Sequence, residues 1–104
     1  MMDEISVSQL KECLQKKTRL LLDVRTVEEY LLSHLPSVHI PLHELEARLQ
    51  ELDPAQPLAI ICRSGGRSGQ AAQFLDAQGF DDVVNVRGGM KAWRDDIDPT
   101  IEVA

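Results

Sequence analysis

The sequence predicts an α/β fold in which a parallel sheet of about five strands carries helices on both faces. Two short apolar runs, residues 20–24 and 58–61, are too continuous for half-exposed strands and are typical of strands buried in a parallel sheet. Helical patterns alternate with such runs along the chain. Because 104 residues suffice for a single core, we expect one domain over residues 1–104, with its core at about 5–95 and a tail at 96–104.

Two capping boxes mark the starts of the first two helices. In each box a hydroxyl side chain is followed three residues later by Glu or Gln: Ser6 with Gln9, and Thr26 with Glu29. The first helix should end near Lys16, because positive charge suits a helix C-terminus, and the second should run to about residue 32.

The middle of the chain predicts a short strand at 38–40, ended by Pro41, and then a third helix. Four leucines share one face of that helix: Leu42, Leu45, Leu49 and Leu52. Asp53 and Pro54 should end it before the strand at 58–61.

The last third of the chain predicts a fourth helix at about 68–78, which Gly79 ends. A last strand lies within 80–86, a turn follows at Gly88-Gly89, and a short helix covers 90–94. We expect the rest of the chain to be irregular.

Charge and composition disfavour several classes of function. The net charge of −6 argues against a broad nucleic-acid-binding face, and no apolar run approaches the roughly 18 residues of a membrane span. The acidic opening, residues 1–4, is untypical of a secretory signal.

Cys13 and Cys62 fit neither a disulfide framework nor a zinc site, so we expect a reducing cytoplasm. Cys13 has the helical spacing of a core residue.

Reactive and charged groups concentrate at residues 62–68. Cys62 follows a buried strand and precedes a helix, which places its thiol where α/β sheets bind ligands. A free thiol has a pKa of about 8.5, and one cation at about 4 Å together with a helix terminus lowers that pKa by about two units. We therefore expect Cys62 to react as a thiolate stabilised by Arg67 or Arg63, with Arg67 the stronger candidate.

The glycines of this loop suit a ring of main-chain amides around an anion. Successive N–H groups point at one centre only where a residue adopts dihedral angles that a Cβ disfavours, and Gly65 and Gly66 provide that freedom. The predicted anion-binding residues are Arg63, Ser64, Gly65, Gly66, Arg67 and Ser68.

The sequence Cys-Arg-Ser-Gly-Gly-Arg-Ser at 62–68 resembles the active-site loop of the rhodaneses, the thiosulfate sulfurtransferases. Two other segments are similar to rhodanese motifs: Asp23-Val24-Arg25 with Glu29, Tyr30 and His34, and Gly88-Gly89-Met90 with Ala92 and Trp93. The segment 34–41 departs from the family, since it lacks a glycine and is one residue shorter. We expect a locally different turn there.

The resemblance implies a three-layer rhodanese fold and a sulfurtransferase that needs no cofactor. The Cys62 thiolate would attack the outer sulfur of thiosulfate, or of another donor, and sulfite would leave. The resulting persulfide would pass its sulfur to cyanide or to a thiol, such as glutathione, thioredoxin or another protein thiol, in a ping-pong reaction.

Other interpretations remain open at this stage. Cys62 is alternatively a core thiol, and Arg63 and Arg67 are alternatively solvated surface charges. The chain is alternatively a partner-dependent persulfide carrier or a non-enzymatic module that binds a partner or senses redox state. Phosphatases and arsenate reductases of the same fold need Arg six positions after the cysteine, whereas Arg67 is five positions after it.

Supporting roles follow from position. Asp23 and Arg25, at the end of a buried strand, should support the site; Asp23 serves either structure or the site itself. Glu29 should pair with Arg25 or complete its capping box. The three histidines match no ligand pattern, so no metal is expected, and Trp93 should pack in the core.

Overall fold

The computed structural model describes residues 3–104; Met1 and Met2, which open the acidic segment noted above, lie outside the described residues. Five strands form one sheet: β1 (Glu4–Ile5), β2 (Leu20–Asp23), β3 (Val38–His39), β4 (Leu58–Ile61) and β5 (Val83–Val86). They are parallel throughout and lie in the order β1-β5-β4-β2-β3. The predicted α/β class with a parallel five-stranded sheet is confirmed.

Four α-helices accompany the sheet within residues 3–104: α1 (Val7–Lys16), α2 (Val27–Leu32), α3 (Gly66–Ala77) and α4 (Gly89–Asp96). Both predicted capping boxes are present, at Ser6 and at Thr26. Helix α3 begins two residues earlier than predicted, which brings its first turn closer to Cys62. Of the helices in this part of the chain, none is long and apolar enough to span a bilayer.

The predicted third helix is wrong. Its segment forms two short 3-10 helices, Leu42–Glu44 and Leu49–Glu51, joined by a turn at residues 45–48. Leu45 and Leu52 are nevertheless buried, as the leucine spacing predicted. Apolar spacing determines which side chains face the core, whereas packing over the sheet decided how the backbone bonds are made.

Strand β1 was not predicted, because two residues carry no readable alternation. Its partner β5 lies within the segment 80–86, where the last strand was predicted. Parallel pairing places Glu4 opposite Asn85. The edge of the sheet is thereby brought next to the loop that follows β4.

Alternate residues of the central strands pack into two layers, one on each face of the sheet. Leu22 and Ile60 belong to the core beneath α3 and the 3-10 helices, whereas Leu21 and Ile61 pack against α1 and α4. Trp93 is buried in the second layer, as predicted. Cys13 is only half-buried and is not among the residues of either core layer, so its assignment to the core is wrong.

Candidate active site

Cys62 lies immediately after β4, with both β2 and β5 paired to that strand. Its side chain is 1% exposed, and its apolar part packs against the core. The sulfur itself contacts polar groups of the loop: the N–H of Gly65 donates to Sγ at 3.1 Å, and the Ser68 hydroxyl lies 3.2 Å from Sγ. The sulfur is therefore enclosed by donors and not by hydrocarbon alone.

These donors determine the acidity of the thiol. Burial raises the pKa of Cys62, but hydrogen bonds from the Ser68 hydroxyl and from the backbone amides of Ser68, Gly65 and Ser64 outweigh it, so the pKa is lowered. The sequence analysis attributes the lowered pKa of Cys62 mainly to the charge of Arg67 or Arg63. Main-chain and hydroxyl donors at the start of α3 take most of that role.

Gly65 is the residue that gives the loop its unusual backbone. Its φ of +113° is unfavourable for a side chain, and it directs the Gly65 N–H at Cys62. The φ of Gly66 is not in that region. Of the glycine pair, Gly65 therefore shapes the ring of amides, and Gly66 is the first residue of α3.

Helix α4 holds the other side of the loop. The Met90 N–H donates to the Cys62 carbonyl at 2.9 Å, and the Lys91 N–H donates to the Arg63 carbonyl at 3.0 Å. A Cβ at Gly89 would lie 2.4 Å from the Cys62 carbonyl oxygen. The Gly88-Gly89 motif thus lets the first turn of α4 bind the loop backbone directly.

Arg67 is held by Glu29 across the mouth of the site. Its two terminal nitrogens donate to the two carboxylate oxygens of Glu29, at 2.6 and 2.8 Å. This bond, with smaller contributions from Thr26, outweighs burial and lowers the pKa of Glu29 from 4.5 to about 2. The same bond raises the pKa of Arg67, and the charges of Cys62 and Asp23 raise it further. Arg67 is therefore near the sulfur but already has a carboxylate partner.

Arg63 and Ser64 follow Cys62 directly in the loop, and both are exposed. Arg63 is exposed, and its Nε donates to the main-chain oxygen of Ala104. Ser64 is exposed too, but its backbone amide helps to lower the pKa of Cys62. The charge of Cys62 contributes to the raised pKa of Arg67, so this arginine interacts with the sulfur.

Asp23 and Arg25 form a buried ion pair beside the loop. Each is 1% exposed, and Arg25 Nη2 donates to Asp23 Oδ2 at 2.8 Å. Arg25 also donates to the carbonyls of Glu29 and Ser33, which ties α2 to the sheet. Glu29 completes the capping box and does not pair its carboxylate with Arg25; of the two alternatives for it, the capping box is the one present.

The histidines do not assemble a metal site. Tyr30 stacks between His34 and His39, with ring centroids 3.8 and 4.1 Å apart. Within residues 3–104, no three His, Cys, Asp or Glu side chains are close enough to hold a metal ion.

Asn85 is the residue of this site that the sequence analysis missed. It lies on β5, is 5% exposed, and contacts Ser68, Gly65 and Glu4. A polar residue inside an otherwise apolar strand, Val-Val-Asn-Val, was the available signal. Burial of an amide requires partners, and the loop supplies them.

A family model for the rhodanese-like domain matches residues 6–96. The chain belongs to the rhodanese-like family. It is 46% identical over 92 residues to the putative sulfur carrier protein YrkF of Bacillus subtilis, covering 86% of this chain and 50% of that protein. It is 37% identical over 84 residues to the thiosulfate sulfurtransferase GlpE of Pseudomonas syringae, covering 80% and 79% of the two chains.

Solved structures agree with the sequence comparison. The crystal structure of a rhodanese-like domain protein from Staphylococcus aureus matches with a TM-score of 0.85 at 33% identity, covering 99% of each chain. The rhodanese-like fold is thus confirmed. The chain spans only half the length of YrkF, whereas it spans most of GlpE. The activity that these relatives support is sulfur transfer in general.

Proposed function

We propose that the protein transfers sulfane sulfur from thiosulfate, or from another donor, to a thiophilic acceptor through a persulfide on Cys62. The observation that carries the proposal is a buried sulfur with a lowered pKa that receives the Gly65 N–H at 3.1 Å. A core thiol does not need such donors, and burial alone would raise its pKa. Polar donors aimed at Sγ favour an anionic sulfur.

In the first step the Cys62 thiolate attacks the outer sulfur of thiosulfate. A new bond forms between Sγ and that sulfur, the original S–S bond breaks, and sulfite leaves with its electron pair. The product is a persulfide whose negative charge is on the outer sulfur. The amides of the loop are the groups available to stabilise this charge.

In the second step an acceptor, either cyanide or a thiolate, attacks the outer sulfur. The bond between Sγ and that sulfur breaks, and its electron pair returns to Sγ as a thiolate. Cys62 is thus the nucleophile of the first step and the leaving group of the second. A lowered pKa assists the second role because a weaker base leaves more readily.

Arg67 is proposed as the contact for the anionic donor. Its ion pair with Glu29 keeps it within reach of the loop and holds its guanidinium at the mouth of the site. A donor anion would share this guanidinium with Glu29, and Arg63, which is exposed, is the second candidate contact.

The direct test is the intact mass of the protein after incubation with thiosulfate. The wild type and Cys13→Ser should each gain one sulfur atom, and both should produce thiocyanate from cyanide. Cys62→Ser should do neither, because the remaining thiol on α1 has no ring of amides around it. Cys13→Ser is the matched control for loss of a thiol.

The outcomes separate the interpretations. A sulfur atom on Cys62 with very slow transfer to cyanide would indicate a carrier that depends on a partner protein. An unmodified Cys62 in the presence of excess thiosulfate would refute thiosulfate as the donor. Equal transfer by Cys62→Ser and Cys13→Ser would refute the whole assignment.

A further inference from the structure

Asn85 contacts Ser68 and Gly65, which bond the Cys62 sulfur through a hydroxyl and a backbone N–H respectively. Its Oδ1 lies 2.6 Å from the Ser68 hydroxyl oxygen, and its Nδ2 donates to the Gly65 carbonyl at 3.2 Å. Ser68 is fully buried, and Asn85 is 5% exposed. One amide on β5 is therefore connected to the hydroxyl that faces Sγ and to the carbonyl of Gly65, the residue whose N–H faces Sγ.

The neighbours of Asn85 fix the orientation of its amide group. Nδ2 faces two oxygen acceptors, the Gly65 carbonyl and, at 3.1 Å, the Glu4 carboxylate. An amide carries donors only on nitrogen, so Oδ1 must be the atom that faces Ser68. The Ser68 hydroxyl is thus the donor in its contact with Asn85.

Ser68 has one hydroxyl proton and two acceptors within reach. Oδ1 of Asn85 is at 2.6 Å and Sγ of Cys62 is at 3.2 Å. When Cys62 is a thiol, its own S–H can donate to Ser68, and the hydroxyl proton can remain on Asn85. When Cys62 is a thiolate, both acceptors require the same proton.

We propose that Asn85 is a positioning residue that competes with the Cys62 sulfur for the hydroxyl proton of Ser68. It thereby sets how strongly Ser68 stabilises negative charge on Sγ. The competition follows from the contacts alone, whereas its place in the reaction rests on the proposed sulfur transfer.

During sulfur transfer the Ser68 O–H bond would change direction as negative charge leaves Sγ and returns to it. In the persulfide the charge is on the outer sulfur, so Ser68 donates to Asn85. As the acceptor breaks the bond to Sγ, charge returns to that atom and the Ser68 hydroxyl turns towards it. No proton leaves the oxygen of Ser68 at any point; only the direction of the O–H bond changes.

Two substitutions at residue 85 separate the role of Oδ1, which accepts from Ser68, from the role of the N–H donor. Asn85→Leu and Asn85→Asp both remove the N–H donor to Gly65 and Glu4, but only Asp retains an acceptor for Ser68, and that acceptor is stronger. All variants carry Cys13→Ser, so that the ultraviolet absorbance of the thiolate reports Cys62 alone. This absorbance, measured against pH, needs no reagent to enter the buried site.

We expect Asn85→Leu to lower the apparent pKa of Cys62 and Asn85→Asp to raise it, with a difference of about one unit, the size of one hydrogen bond to a charged group. Each substitution is repeated with Ser68→Ala, where the difference should fall by at least half. This second pair subtracts the direct effect of the Asp charge. Asn85→Ala replaces Asn85→Leu if the larger side chain prevents folding, as judged by circular dichroism.

Charged groups on the elements around Cys62 are the same in all these variants: Glu4, Asp23, Glu29, Arg63, Arg67 and Lys91. The contributions of the groups that do not contact residue 85 therefore cancel in each comparison, and the Ser68→Ala pair subtracts the effect of placing a carboxylate at position 85 beside Glu4. Shifts of the same sign for both substitutions would overturn the proposal, as would a difference that survives Ser68→Ala unchanged. Failure of the proposed function would look different. The Cys13→Ser protein would then transfer no sulfur, while the titration of Cys62 in the residue 85 variants would still shift as expected.

Discussion

At residue 65 a single backbone conformation decides where a donor points. A side chain there would have to adopt a φ of +113°, and its Cβ would lie 3.6 Å from the Gly88 nitrogen. The N–H that faces Sγ belongs to the same residue. A change in the backbone conformation of residue 65 therefore also moves the N–H that donates to the sulfur.

We predict that Gly65→Ala lowers the free energy of unfolding by about 2 kcal/mol and raises the pKa of Cys62, because the amide turns away from Sγ. Gly66→Ala is the matched control for stability. In residues 3–104, no atom beyond its own neighbours lies within 4 Å of a Cβ at Gly66, so its effect on unfolding should stay within about 0.5 kcal/mol. Urea denaturation and titration of the thiolate absorbance measure the two quantities. Equal losses in both variants would contradict the assignment of the special conformation to Gly65.

At the scale of elements, α4 supports the backbone of the loop that contains Cys62. Its first amides donate to the carbonyls of Cys62 and Arg63, which requires the helix to approach without a side chain at Gly89. Those carbonyls would otherwise be poorly satisfied inside the protein. These two hydrogen bonds thus hold the start of the loop against α4.

We predict that Gly89→Ala lowers the free energy of unfolding by about 3 kcal/mol, because strain at φ +56° adds to a contact of 2.4 Å with the Cys62 carbonyl oxygen. Gly79→Ala is the control. Its φ of +90° is also positive, but a Cβ there meets no atom within 4 Å in the described part of the chain, so we expect a loss of about 1 kcal/mol. Chemical denaturation gives both values, and the rate of persulfide formation should fall only for Gly89→Ala. A larger loss for Gly79→Ala would show that the close approach of α4 is not the important constraint.

At the scale of the whole molecule, the ion pair between Arg67 and Glu29 joins two helices that are distant in the sequence. It connects α2 to the start of α3 across the edge of the sheet where the site lies. Arg67 remains 34% exposed, so solvent screening limits the contribution of the pair. The contribution of this ion pair to stability nevertheless depends on pH in a way that can be measured.

Because the pKa of Glu29 is lowered from 4.5 to about 2 on folding, the unfolded chain binds the proton first as the pH falls. The stabilisation is fully present above pH 4.5 and is lost as the pH falls towards about 2. We predict that Glu29→Gln is less stable than the wild type at neutral pH and that the difference disappears near the lower limit. Gln retains the capping box, so the helix start is preserved.

Thermal unfolding across this pH range tests the prediction. Glu28→Gln is the control, since Glu28 is exposed and makes no ion pair with any residue of 3–104. Its stability should follow that of the wild type at every pH. A constant difference between Glu29→Gln and the wild type down to the lowest pH would mean that the carboxylate charge does not stabilise the fold.

The sequence alone determined the features that depend on neighbouring residues. A continuous apolar run made β4 a buried strand and put Cys62 at its end, and the serine and threonine caps placed the starts of α1 and α2. The leucine spacing at 42–52 predicted burial but not the 3-10 backbone. Local patterns carry the preference of a segment, not the packing that decides between similar helical forms.

Only the tertiary structure decided which groups surround the sulfur. Glu29 pairs with Arg67, and Asn85 accepts a hydrogen bond from Ser68. Glu4, on β1, accepts a hydrogen bond from Asn85. All three contacts join segments that are far apart in the sequence. These partners depend on strand order and register, which a parallel sheet sets through its crossovers and not through any one segment. The position of the proposed nucleophile therefore follows from the local sequence, whereas its electrostatic environment is produced by the fold.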